Sequence, residues 1–185
     1  MKHRFLRILF PLILAILFGG CGGGYHYDVK PTPLQKGISK YVLGDFKFSL
    51  TEDHRNKANL TYKNEQELKK DFVAAINKNL AQIGLLGVEG KDYKIDIIMN
   101  YLRRFNYGGN ALNKPYFDYS VEIFDNTGTR LASYAISTST TKYSYFKDLA
   151  VNLQIGTYQR DAEDEPEDIE LIAKTLVEEI SEIGK

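Results

Sequence analysis

Arg103, Arg104, Lys114, Tyr107 and Tyr116 gather three cations and two tyrosines around a loop at residues 106–115 that contains Gly108, Gly109 and Pro115. Cations at that density meet phosphate or carboxylate groups, and arginine beside tyrosine is the composition of interface hot spots. A plainer reading stands next to it. Tyr116 and Phe117 are ordinary strand-end aromatics, and the arginines pair with nearby acids. The other residue with chemistry of its own is Cys21, the only cysteine, which has no partner within the chain. It follows a basic leader (Lys2, Arg4, Arg7), an apolar run from Ile8 to Phe18, and Gly19-Gly20. An apolar run that short, ahead of small residues, reads as an export signal over residues 1–20 and not as a membrane span.

Catalytic parts are few. His26 and His54 lie in no metal-ligand spacing and read as solvent-facing imidazoles. The sequence contains no G-x-S-x-G elbow, Walker loop or H-E-x-x-H. The acidic run Asp161, Glu163, Asp164, Glu165, Glu167 and Asp168 lacks the ligand alternation and central glycine of a calcium loop, and reads as a solvated helix start. The expectation is a protein that is not an enzyme and carries no cofactor and no metal. Three of the 24 Lys and Arg, and none of the 24 Asp and Glu, fall in residues 1–20, so the remainder carries a formal charge of −3. A nucleic-acid partner, which calls for a basic footprint, is not expected.

The elements that would hold these residues follow from periodicity. Residues 21–37 read as a flexible tether, with Gly22, Gly23 and Gly24 loosening it and Pro31 and Pro33 extending it. A single domain then occupies 38–185. Val42, Phe46, Phe48 and Leu50 alternate as a strand. Asn64 and Glu67 have the spacing of a capping box ahead of Leu68, Phe72, Ile76 and Leu80, a helical stripe stopped by Gly84. A second strand turns Tyr93, Ile95, Ile97, Met99 and Tyr101 inward, and a third Phe117, Tyr119, Val121 and Ile123. Asp125-Asn126-Thr127-Gly128 closes a hairpin to a strand over 130–141, with Ala132, Tyr134 and Ile136 inside. Phe146, Leu149, Ala150 and Leu153 have helical spacing for two or three turns ending at Gly156. The last helix starts at Asp164 or Glu165 with Pro166 in its first turn, and carries Ile169, Ile172, Leu176, Ile180 and Ile183. The order predicts an α+β two-layer sandwich: a mixed, mostly antiparallel sheet with two amphipathic helices on one face, β-α-β-β-β-α.

Phe18-Gly19-Gly20-Cys21 resembles the bacterial lipobox, with phenylalanine where leucine is usual. That resemblance implies cleavage before Cys21 and lipid on it, and Gly22 in place of aspartate implies the outer membrane. The element order, the helix ending in Gly84-Leu85-Leu86 and the strand–Asp125-x-x-Gly128–strand hairpin resemble the TolB N-terminal-type domain of curli-secretion and exopolysaccharide-export lipoproteins. The same order, with Cys21, Gly22 and His26, is similar to the LptE family of lipopolysaccharide-assembly lipoproteins. These resemblances imply a membrane-anchored, non-enzymatic binding or assembly factor facing the periplasm, with an envelope protein as partner. The LptE-like alternative is lipopolysaccharide handling, with Arg103, Arg104 and Lys114 against lipid phosphates.

Overall fold

The structure is a computed structural model describing residues 24–53, 62–106, 108–109 and 111–185. The leader, Cys21, His54 and Tyr107 lie outside the described residues. Five strands form one sheet: β1 (His26–Tyr27), β2 (Tyr41–Glu52), β3 (Tyr93–Arg103), β4 (Tyr116–Phe124) and β5 (Arg130–Thr140). Their order is β1-β5-β4-β3-β2, and only β2 and β3 run parallel. A parallel pair needs a crossover, and α1 (Glu65–Gln82) supplies it. Helix α2 (Tyr145–Gly156) leaves the end of β5, and α3 (Glu165–Ser181) returns to the sheet.

One face of the sheet is covered. Leu68, Phe72, Ile76 and Leu80 of α1 and Ile169, Ile172, Leu176 and Ile180 of α3 join Ile95, Ile97, Met99, Tyr119, Val121 and Ile123 in a continuous core. The other face is open and polar; there the Asn100 side-chain amide donates to Asp118 at 2.7 Å. This is the two-layer α+β sandwich that the alternation predicts.

The α1 start is a capping box. The Asn64 side chain accepts from the backbone N–H of Gln66 and Glu67 at 2.9 and 3.1 Å, and Glu67 accepts from the Asn64 N–H at 2.8 Å. Each bond satisfies a donor that the first helical turn leaves orphaned. Asn64→Ala should lower stability by about 1 kcal/mol, read as a lower urea midpoint at unchanged slope.

Two expectations need correction. Val42 does not share a face with Phe46. Leu43 pairs with Ile95 and Phe46 with Ile97, so β2 spends an extra residue there. The bulge reverses side-chain parity: Tyr41 and Leu43 face the core before it, and Phe46, Phe48 and Leu50 after it. At the bulge, Asp96 Oδ1 accepts from the Asp45 N–H at 2.8 Å and lies closer than van der Waals contact to where a Cβ on Gly44 would sit, so a larger residue there displaces the Asp96 and Lys94 side chains.

The second correction concerns the tether over 21–37. Its described residues, from Gly24 onward, are packed onto the domain. Leu34 is buried, Tyr25 donates to the Glu179 carbonyl at 3.0 Å, and the Tyr27 hydroxyl accepts from the Gly184 N–H at 2.9 Å. His26 and Tyr27 pair with Ser133 and Ala132 of β5. Aromatic side chains and a sheet edge outweigh the flexibility of the neighbouring glycines.

Candidate interaction surface

Arg103 lies two residues beyond Tyr101, on the inward parity of β3, and its side chain is 1% exposed. Its Nε and Nη2 donate to the two Glu165 carboxylate oxygens at 2.7 and 2.9 Å. The remaining nitrogen reaches Glu52, and Nη2 also donates to the Lys63 carbonyl at 2.8 Å. Tyr101 donates to Glu165 at 3.2 Å, and the Tyr62 ring lies under the guanidinium. Burial pushes the Glu165 carboxyl up, against the pull of Arg103. Arg103 is therefore a clamp joining the ends of β2, β3 and α3, and it is not available to a ligand outside.

The other residues around the 106–115 loop separate. Arg104 stacks on Tyr116 with its guanidinium carbon 4.0 Å from the ring centroid, and its Nε lies 3.7 Å from Asp53. Neighbouring strand residues point to opposite faces, so Arg103 and Arg104 cannot serve one surface. Lys114 is mostly buried and donates to Asp148 of α2 at 2.6 Å. Tyr107 lies outside the described residues. The described residues of this predicted cationic patch form an internal clamp, a cation–π pair on the sheet, and a strut to α2.

A second clamp holds the base of α2. The buried Asp168 carboxylate accepts from Thr141 at 2.9 Å and Tyr143 at 2.5 Å on one oxygen, and from Arg160 at 2.8 Å on the other. Thr141 and Tyr143 precede α2 and Arg160 follows it, so both arms of this excursion close on one residue of α3. Glu165 and Asp168 thus correct the expectation of a solvated acidic helix start. Two of those acids are buried counter-ions.

The helix held this way is inside out. Val151 is the buried side chain of α2, Asp148 is tied to Lys114, and the Ile155 carbonyl accepts from the Asn106 amide at 2.8 Å. Phe146, Leu149 and Leu153 are 82%, 63% and 67% exposed, and Tyr145 is 80% exposed. At 100° per residue, Phe146, Leu149, Ala150 and Leu153 fall within an arc of about 100° opposite the docked side. Tyr158, at the far end, is also exposed and has a positive φ of 59°. Periodicity locates this stripe, but not which way it faces.

Three partly exposed carboxylates are held below the ordinary carboxylate range. Asp28 is lowered first by its hydrogen bond from Arg130, Asp125 by Thr127 of the hairpin turn, and Asp148 by Lys114. A depressed folded-state pKa contributes stability that is present above the unfolded value and lost as pH falls through the folded one. Thermal midpoints should therefore fall below about pH 4. Asp28→Asn should flatten that acid limb; an unchanged limb would refute the assignment.

The geometry defines a two-layer α+β domain that presents an outward-turned apolar helix on two buried ionic clamps. No family model matches the chain, and no curated protein matches it. Among solved structures it is similar to PelC from Paraburkholderia phytofirmans, crystallised as a dodecamer, at 12% identity and a TM-score of 0.35, over 85% of this chain and 97% of that one. A single-substitution variant of that protein gives 13% identity and a TM-score of 0.34, over 85% and 98%. A PDZ domain protein from Parabacteroides distasonis gives 14% identity and a TM-score of 0.32, over 72% of this chain and 34% of its own.

Proposed function

We propose that this protein is a membrane-anchored, non-enzymatic binding or assembly factor of the bacterial envelope. Lipid on Cys21 holds it on the periplasmic face of the outer membrane, and it works by docking. The observation that carries this reading is α2, whose apolar stripe faces solvent while its opposite side bonds to Lys114 and Asn106. Exposed contiguous apolar surface on a well-packed domain marks an interaction site. The LptE-like version sets Arg103, Arg104 and Lys114 against lipid phosphates; Arg103 is spent on Glu165 and Glu52, Arg104 stacks on Tyr116, and Lys114 is tied to Asp148.

Two measurements test the proposal. A photo-crosslinking side chain at Phe146 in intact cells should form an adduct with an envelope component, while one at the exposed Lys70 of α1 should not. Absence of any adduct at Phe146 would overturn the docking reading. Separately, Cys21→Ser should abolish labelling by a palmitate analogue; undiminished labelling would refute the lipid anchor.

A further inference from the structure

We infer that the exposed face of α2 docks on a phospholipid bilayer, lying in its interfacial region through Tyr145, Phe146, Leu149 and Leu153. This names the occupant of the docking surface proposed above and rests on that reading. Three observations select lipid over a protein groove.

The first is shape and composition. A twelve-residue helix is about 18 Å long, too short to cross a bilayer but suited to lie along its surface. No helix among the described residues is long and apolar enough to cross a membrane. Tyr145 and Tyr158 stand at the two ends of the stripe, where amphipathic rings settle at headgroup level.

The second is charge. The one acid in α2 is Asp148, which lies on the docked side and is held by Lys114. Lys142 precedes the stripe and is exposed, and Lys147, which flanks it, is paired with Glu167 at 3.0 Å. The exposed arc thus carries no carboxylate of its own and has the exposed Lys142 beside it, on a chain whose part beyond the leader carries −3. That pattern suits phosphate headgroups.

The third is the path of the chain. β1 is antiparallel to β5, so the residues upstream of His26 head toward the end of β5 that feeds α2. From Ser133 to Thr140 that strand covers about 24 Å. Cys21 is five residues ahead of His26, a reach of about 17 Å. That reach covers most of the distance toward α2, so a lipid on Cys21 and α2 can share one bilayer.

The test uses the full, lipid-bearing chain in vesicles of phosphatidylethanolamine and phosphatidylglycerol. Leu149→Cys carries a polarity-sensitive fluorophore, and Lys70→Cys on α1 serves as the comparison. Quenching by a nitroxide-bearing lipid should be at least twofold stronger at residue 149 than at residue 70, and quenching by iodide severalfold weaker. Leu153→Cys, on the same arc, should repeat the pattern. Shielding of residue 149 from both quenchers means that protein covers the stripe, which overturns the bilayer inference and leaves the docking reading standing. Full iodide access at residue 149 overturns both.

Discussion

Replacing Arg103 with methionine should be the most damaging single change in the domain that leaves its apolar core intact. Arg103→Met removes the fork that neutralises Glu165 and strands that carboxylate at 2% exposure on α3. Breaking a buried pair from one side costs about 3–5 kcal/mol, because the surviving charge has lost both water and its partner. For a domain of this size, that corresponds to a fall in thermal midpoint on the order of 10 °C. The loss should depend on pH in a definite direction. Burial already raises the Glu165 pKa, and without Arg103 it rises further. A raised folded-state pKa favours the protonated form, so the deficit should shrink as pH falls from 7 toward that value and grow as pH rises. The double variant Arg103→Met/Glu165→Leu should recover most of the stability, since apolar residues of similar volume replace buried pairs at little cost. Urea denaturation of the three proteins at two pH values decides the matter. A single variant within 1 kcal/mol of wild type would show that the clamp has no energetic weight.

The second large effect should appear in function while stability stays unchanged. Phe146→Glu/Leu149→Glu places two charges on the exposed stripe of α2, on the side of the helix opposite Val151. Surface changes away from such features usually stay within about 0.5 kcal/mol, so helix content and thermal midpoint should hold. Docking should not. Each apolar side chain buried in a docked state contributes about 1.5–3 kcal/mol, so removing two corresponds to a hundredfold or greater loss of occupancy. The readout is the adduct formed from a photo-crosslinking side chain at Leu153, compared between the variant and wild type. An adduct of undiminished yield, in a variant that remains folded, would remove α2 from the docking surface.

Residues 103–116 present cations and tyrosines close together, but strand alternation sends Arg103 inward and Arg104 outward, and Lys114 ends on Asp148. The parity of Arg103 was legible, since it continues the series Tyr93, Ile95, Ile97, Met99, Tyr101. Its partner was not, because Glu165 is 62 residues away and joins it only when α3 folds back. The acidic run at 161–168 misled for the same reason. Local composition marks a solvated helix start, whereas Glu165 and Asp168 are the counter-ions of Arg103 and Arg160.

By itself, the sequence determined the elements from β2 onward. The period of two in β3 and β4, the Asn64–Glu67 cap, the Asp125–Gly128 turn and the stripes of α1 and α3 are local signals, set by backbone geometry within a few residues. They were enough for a two-layer α+β sandwich. Only the tertiary structure decided orientation and partnership. A bulge at Gly44 and Asp45 turned Val42 away from the core, the segment after Gly24 packed where glycine and proline marked a tether, and α2 faced its apolar stripe outward. Periodicity records that a helix has two unlike faces. Which face meets the protein is set by contacts from Lys114, Asn106 and the Asp168 clamp, and those contacts exist only once distant parts of the chain have met.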